Sequence, residues 1–250
     1  MDKTKLVQFL DEYLELEQFE DSSKNGLQVD NSKKEIQKIW YAVDANSYIF
    51  DKAIQEKVDM LICHHGMFRW QAETLTWLFY KRIQKLILND IALYACHLPL
   101  DWHKEVGNNI VLLNKFVDTF NIKNPLITQN TYIFGLKFDE KIKIQDILDI
   151  YCDNLWIEKQ FYNFWNLKTV SSVCFCSGGG LHSAKFAKEN GFDLVITWEW
   201  AHYEITLSKE LKQSVILWWH YETEIFGVQT LSEKLKKDFN IEIVFLDEKY

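Results

Sequence analysis

The segment that most constrains the fold is the run Asp59-Met60-Leu61-Ile62-Cys63-His64-His65-Gly66, in which an apolar stretch ends at two adjacent histidines. A short apolar run closed by glycine is typical of a strand buried on both faces of a parallel sheet. Ligands of open α/β sheets bind beyond the carboxyl ends of the strands, so both histidines are candidate site residues. Successive strand residues point to opposite faces, and the two rings can meet only if the chain begins to turn, as Gly66 permits.

Two further apolar runs also end at a histidine. One leads to His97, with Asp101 following, and the other leads to His220, with Glu224 four residues later. Pro99 predicts that Asp101 lies on a loop, whereas a helix beginning at His220 would place His220 and Glu224 on one face. Imidazole and carboxylate ligands suit zinc, iron, manganese or nickel, and two carboxylates can bridge two ions. The alternative interpretation is three unrelated histidines at strand ends.

The order of the predicted elements is that of an α/β protein. Residues 36 to 97 alternate as strand, helix, strand, helix and strand, which is typical of a parallel sheet with right-handed crossovers. The proline-containing segment 122–128 is predicted to be a linker, and the alternation resumes after it. We therefore expect two interlinked α/β lobes with mainly parallel sheets, covering residues 1–124 and 125–250, with the metal site between them.

Charge and composition narrow the classes of function. The chain has 28 basic and 36 acidic residues and a net charge of −8, which argues against a nucleic-acid partner. The sequence contains no apolar run of transmembrane length, and its start resembles an amphipathic helix instead of a signal peptide, so we expect no membrane association and a cytoplasmic location. Five cysteines without disulfide-framework spacing agree with a reducing compartment.

Two other motifs have competing interpretations. A structural zinc site could be built from cysteines 63, 96, 174 and 176, although they form no CxxC pair. The segment Ser177-Gly178-Gly179-Gly180 is predicted to be a turn between a strand and a helix. Such a turn can hold a phosphate group at the helix N-terminus, but it lacks the Gly-Lys-Ser/Thr of a Walker loop. Close packing of the strand against the helix explains the glycines equally well.

Several of these motifs, in this order, resemble the NGG-interacting-factor-like family of dinuclear metal-centre hexameric proteins, which are type 2 GTP cyclohydrolase I homologues. The resemblance covers nearly the whole chain. Its landmarks are Asn25-Gly26-Leu27-Gln28, Asp59 to His65, His97 to Asp101, Ser177 to Gly180, Asp193 to His202, and His220-Tyr221-Glu222-Thr223-Glu224.

The resemblance implies a specific site and assembly. Two divalent ions per subunit, each zinc, iron, manganese or nickel, would be held by His64, His65, Asp101, His220 and Glu224. His97 would lie beside the ions as a supporting group or as a proton carrier. In a hydrolase of this kind, His97 or His202 could act as the catalytic proton carrier near neutral pH. The implied reaction is the hydrolysis of GTP to formate and dihydroneopterin triphosphate. The implied assembly is a toroidal homohexamer, a trimer of dimers.

The chain also departs from the family pattern. Ser23-Lys24 replaces the usual Trp-Asp, Trp198-Glu199 replaces Gly-Asp, and Tyr203 replaces a second histidine. None of the five implied ligands changes, but these positions bear on substrate specificity. Two alternatives therefore remain: a non-enzymatic metal-binding scaffold or regulator that binds a protein or nucleic acid, and a protein that binds metal only in order to fold.

Overall fold

A computed structural model of the chain describes residues 1–69, 74–130, 133–152, 160–180, 183–199, 201–218, 220–239 and 241–246. The helices are α1 Lys3–Tyr13, α2 Ser47–Gln55, α3 Trp77–Leu88, α4 Leu98–Trp102, α5 Asn108–Thr119, α6 Ile144–Cys152, α7 Ser183–Glu189, α8 His202–Leu211 and α9 His220–Asp238. The strands are β1 Gly26–Val29, β2 Lys38–Asp44, β3 Met60–His65, β4 Ala92–Ala95, β5 Leu126–Asn130, β6 Ile133–Lys143, β7 Gln160–Tyr162, β8 Thr169–Gly179, β9 Leu194–Glu199, β10 Ser214–Leu217 and β11 Glu242–Phe245. No helix among these residues is both long and apolar enough to span a bilayer.

Contacts within the chain divide it into two units. The first contains Met1–Gly107 and Glu224–Tyr250, and the second contains Asn108–Thr223. This division differs from the predicted boundary after residue 124, because the C-terminal strand β11 pairs in parallel with β2. The chain thus leaves the first unit and returns to it within helix α9.

The first unit is built on a five-stranded sheet in the order β1-β4-β3-β2-β11. Strands β4, β3, β2 and β11 are parallel, as the alternating pattern predicts, and β1 is antiparallel at the edge. The central strands β3 and β4 are buried along almost their whole length. Their carboxyl ends therefore lie side by side, in the place where the sequence predicts the site.

The second unit contains a six-stranded mixed sheet in the order β5-β6-β8-β9-β10-β7. Its parallel part is β8-β9-β10, and β5, β6 and β7 pair with antiparallel neighbours. The α/β class with two sheets is confirmed, with more antiparallel pairing than expected. The predicted linker contributes β5, whose five residues are all exposed at the edge of the sheet.

Two local predictions differ from the structure. Asp101 was expected on a loop, but it lies in the short helix α4, with Pro99 in the first turn. Proline is tolerated there because the first N–H groups of a helix have no partner within the helix. The Ser177–Gly180 segment was expected to be a turn, but β8 continues through Gly179. The helix predicted to follow this segment begins, within the described residues, at Ser183.

Candidate metal centre

Two histidines at the end of β3 meet side by side. Their ring centroids are 4.6 Å apart, because the chain leaves the strand immediately afterwards at Gly66. His64 is fully buried, and its Nδ1 lies 3.0 Å from the carbonyl oxygen of Cys96. A carbonyl can only accept a hydrogen bond, so Nδ1 carries a proton, and in the neutral form of the ring the lone pair is on Nε2.

Two buried carboxylates face these imidazoles. The Nε2 atom of His64 is 3.6 Å from Oδ2 of Asp101 and 3.5 Å from Oε1 of Glu224. The other oxygen of Glu224, Oε2, is 3.1 Å from Nε2 of His65. Glu224 therefore presents one oxygen to each histidine, which is the arrangement of a carboxylate that can bridge two ions.

The electrostatics of this cluster favour positive charge. Burial alone would lower the pKa of His64, but the charges of Asp101 and Glu224 raise it above its ordinary value. Burial also acts to lower the pKa of His65, yet hydrogen bonds to Asp44 and Glu224 raise it to about 10. Asp101 and Glu224 are only 6% and 1% exposed, so water does little to stabilise their negative charges. Buried carboxylates of this kind need cationic neighbours.

Four histidines share one pattern of support. In each case Nδ1 contacts an oxygen acceptor: His64 the carbonyl of Cys96, His65 the carboxylate of Asp44, His97 that of Asp21, and His220 that of Glu199. An acceptor at Nδ1 fixes the orientation of the ring, so that Nε2 points to the side opposite the acceptor. Metal-bound histidines are usually oriented by a hydrogen-bond partner in the same way.

His97 is held by the segment that contains the Asn25-Gly26 motif. Its Nδ1 is 2.9 Å from Oδ1 of Asp21, and its backbone N–H donates to Oδ1 of Asn25 at 2.8 Å. Asn25 in turn donates to Asp21 at 2.9 Å, and the backbone N–H groups of Ser23 and Leu98 also donate to Asp21. Burial would raise the pKa of Asp21, but these hydrogen bonds and His97 lower it well below its usual range. Asp21 is therefore an anion beside the His97 ring.

The structure brings together five of the predicted site residues within the first unit. Ligand atoms of His64, Asp101 and Glu224 lie within 4.8 Å of one another, and so do those of His64, His65 and His97. Ligands about 2.0 to 2.2 Å from a tetrahedral ion are separated by roughly 3.3 to 3.6 Å. The distances from His64 to the two carboxylates match that spacing, and they are too long for good hydrogen bonds. The residues present therefore fit a transition-metal ion.

The remaining predicted residues lie in the second unit. His220 is the first residue of α9, one helical turn before Glu224, as the four-residue spacing predicts. Its Nδ1 is 2.8 Å from Oε2 of Glu199. His202 is exposed at the start of α8, and it is absent from the metal-ligand groups of the described residues. None of those groups contains a cysteine.

The whole chain is similar to proteins of a known family. A model of the family described as Duf34/NIF3 (NGG1p interacting factor 3) matches residues 1–250. The chain belongs to the Duf34/NIF3 family. It is 37% identical over 249 residues to a protein of Pyrococcus horikoshii named GTP cyclohydrolase 1 type 2 homolog, which covers 99% of this chain and 98% of the relative.

Solved structures of similar proteins show the same fold. The protein ybgI, described as of unknown function, matches with a TM-score of 0.90 and 27% identity over 100% of this chain and 99% of its own. TTHA1606 from Thermus thermophilus matches with a TM-score of 0.84 and 34% identity, over 100% and 99% of the two chains. The Duf34/NIF3 assignment thus rests on the family model over residues 1–250, and the two solved structures share the fold of this chain over its full length.

Sequence reasoning missed the carboxylates that support the histidines. Asp21 lies in a segment that the sequence indicates only as a turn, and Asp44 is visible only as the end of a strand. The pairing of β2 with β3 could have indicated Asp44. In a parallel sheet the two strands end at the same edge, and Asp44 at the end of β2 lies beside His65 at the end of β3. Asp21 is 76 residues from His97 in the sequence, and no local pattern links the two.

Proposed function

We propose that this member of the Duf34/NIF3 family is a metal-dependent hydrolase with a dinuclear centre held by His64, His65, Asp101, His220 and Glu224. The observation that carries the proposal is Glu224, whose two oxygens face two different histidines at the end of one buried strand. His220 joins this set because it shares a helix face with Glu224. Two divalent ions bound here would supply Lewis acidity and would activate water near neutral pH.

The residues of the chain have distinct roles in this proposal. Asp101 and Glu224 balance the charge of the ions, while the Nδ1 contacts of the histidines keep each Nε2 in place. His97 carries a proton, because Asp21 behind it stabilises the imidazolium form and holds the ring orientation. His202 has no comparable partner within the described residues, so the proton-transfer role is assigned to His97.

The proposed substrate is GTP, with formate as the released product. The support is the printed name of the relatives, GTP cyclohydrolase 1 type 2 homolog, at identities up to 37%. In the implied reaction, water adds to the purine imidazole ring and the excised carbon leaves as formate.

The test is formate release from GTP by protein reconstituted with zinc, iron, manganese or nickel in separate preparations. Asp101→Asn should lower both metal content and turnover, the latter roughly 100-fold or more, since losing supporting groups alone costs about 10–100-fold. Asp118→Asn, at an exposed position in the last turn of α5, is the matched control and should change neither. Metal-replete protein that releases no formate would overturn GTP as the substrate, and equal turnover in Asp101→Asn would overturn the metal-dependent mechanism.

We also propose that the protein works as a homohexamer. The support within this chain is an apolar surface around α3, where Trp77 is 89% exposed, Leu88 75% and Leu78 55%. Large exposed apolar surfaces of soluble proteins usually mark interfaces. Native mass spectrometry should give six chains, and a monomer at micromolar concentration would contradict this assembly.

A further inference from the structure

A second polar feature lies beside the metal centre in the first unit. It is an open cavity of about 340 Å³ at the carboxyl ends of β2 and β3. Its lining includes Asp44, Asn46, His65, Gly66, Arg69 and Arg82. The volume is at the lower end of the range for small-ligand sites, about 300 to 1,000 Å³. Because His65 also belongs to the ligand cluster, the cavity adjoins the proposed reaction centre.

The two arginines are positioned by ordered structure. Arg82 lies in α3, next to the buried residue Ile83, which packs in the core of the unit. Arg69 forms an isolated antiparallel bridge with Ser23, and the neighbouring carbonyl of Phe68 accepts a hydrogen bond from the N–H of Lys24 at 3.0 Å. The backbone that carries each arginine is therefore ordered: helix α3 positions Arg82, and hydrogen bonds to the segment at Ser23 and Lys24 position Arg69.

The charge at this cavity is incompletely balanced. The Nε atom of Arg82 is shielded from solvent and has no hydrogen-bond partner within the described residues. An unsatisfied buried donor is costly, and a bound acceptor would remove that cost. Among the described residues of the lining, Asp44 is the one carboxylate, and it already contacts His65 at 2.8 Å.

The N-terminus of α2 adds to the positive potential. Asn46 is its N-cap, accepts from the N–H of Ile49 at 3.0 Å, and lines the cavity. The N-terminus of a helix carries a partial positive charge and favours anions. Two guanidinium groups and a helix N-terminus thus meet at one concave surface.

We propose that Arg69 and Arg82 form a subsite that binds a phosphoryl group of the ligand. Guanidinium groups match phosphate oxygens with paired hydrogen bonds, which a lysine cannot provide. The inference rests on the proposed hydrolase function. If that function is correct, the subsite implies that the substrate of the metal centre is a phosphorylated molecule. It assigns the phosphate-binding role to this cavity instead of the glycine-rich segment that ends β8.

The test measures binding, so that it is independent of turnover. Full-length protein reconstituted with metal is titrated by calorimetry with pyrophosphate, GTP and guanosine, and the metal content is measured before and after each titration. Arg82→Gln should weaken binding of pyrophosphate and GTP about tenfold or more, because hydrogen bonds to charged groups usually contribute at least that factor. The double variant Arg69→Gln/Arg82→Gln should weaken it further, with unchanged metal content and melting temperature.

Lys81→Gln is the matched control, since Lys81 is an exposed cation of the same helix that does not line the cavity. It should leave pyrophosphate binding unchanged, and guanosine affinity should be the same in every variant. Equal weakening by Lys81→Gln would show a general charge effect and overturn the subsite. Full binding in the double variant, with loss only in the metal-depleted Asp101→Asn, would place the phosphate on the metal ions and would also overturn it. Absence of formate release, with the arginine dependence intact, would reject the proposed reaction alone.

Discussion

At the scale of single residues, a histidine's hydrogen-bond partners distinguish a metal ligand from a structural group. His64, His65 and His97 each use Nδ1 for an oxygen acceptor and keep Nε2 for the cluster. His103 uses both ring nitrogens locally: Nε2 is 2.9 Å from the carbonyl of Tyr13, and Nδ1 accepts from the N–H groups of Glu105 and Val106. The oxygen acceptors at Nδ1 are therefore as informative about the proposed metal site as the histidines themselves.

Asp21→Asn tests this support at His97. The amide keeps the size of the side chain but removes the charge that stabilises the protonated ring. Turnover should fall about 10- to 100-fold, the usual cost of losing such a partner. Metal content, measured by elemental analysis, separates the two roles of His97. Unchanged content fits a proton carrier, and a loss of one ion per chain would make His97 a ligand instead.

Asp59, at the start of the β3 segment, has a structural role that the sequence does not reveal. Its Oδ2 accepts from the N–H groups of Gln37 and Lys38 at 2.8 and 2.9 Å, and its Oδ1 pairs with Lys33. Burial would raise the pKa of Asp59, but these partners lower it below its ordinary value. The ionised carboxylate thus ties the start of β2 to that of β3.

Asp59→Asn should lower the free energy of unfolding at pH 7 by about 1 to 3 kcal/mol, the usual cost of losing hydrogen bonds to a charged group. Because the folded pKa lies below the unfolded value of about 3.9, the contribution is complete above that pH and is lost as the pH falls through the folded pKa. Urea unfolding of the wild type and of Asp59→Asn should show this difference in unfolding free energy at pH 7 and a smaller difference at pH 3. A difference that grows toward acid would contradict this role.

At the scale of elements, the sequence predicts the buried strands better than the short helix α4 and the exposed edge strand β5. Buried runs such as β3 and β4 are visible because each is apolar, short and closed by a turn or polar residue, and the four-residue spacing predicts the helix that carries Glu224. Helix α4 is hard to predict because a proline restricts the residue before it, yet it is tolerated in the first turn of a helix, where Pro99 lies. Strand β5 was missed because an exposed edge strand has no apolar pattern to distinguish it from a linker.

Gly66 shows why the turn after β3 cannot carry a side chain. A Cβ atom at this position would lie 2.3 Å from Nε2 of Gln28 and 2.5 Å from Cβ of Ala95. Gln28 is itself engaged, donating to the carbonyl of Lys24 at 2.6 Å and accepting from the N–H of Met67 at 2.8 Å. The turn that aims His65 is thus packed against fixed groups.

Gly66→Ala should therefore destabilise the protein by about 1 to 3 kcal/mol, as overpacking usually does, and it should also reduce metal content. Gly191→Ala is the control, because Gly191 has a φ of +67° but nothing within 4 Å of an added Cβ. It should lower stability through backbone strain while the metal content stays constant. Thermal unfolding and elemental analysis measure both effects, and full metal occupancy in Gly66→Ala would contradict the packing argument.

At the scale of the whole molecule, the chain path could not be predicted from local patterns. The sequence suggests a break near residue 124, but the first unit is completed only when residues 224 onward return and β11 pairs with β2. Long-range pairing of this kind leaves no signal in a single sequence, because β11 is as short and apolar as any other strand. Glu224 reaches His64 and His65 only through that return, so the position of the site depends on it.

Metal removal should therefore affect the stability of the first unit. Without metal ions, the charge of the buried carboxylates of Asp101 and Glu224 is balanced by protonation of His64 and His65, whereas bound ions would stabilise the folded state by about 2.7 kcal/mol at a free concentration 100 times Kd. Dialysis against a chelator should lower the melting temperature, and adding back zinc, iron, manganese or nickel should restore it. Asp101→Asn/Glu224→Gln, which removes both charges, should melt at the same temperature with and without chelator. A wild-type melting temperature that does not change after complete removal of metal would contradict a metal centre among these residues.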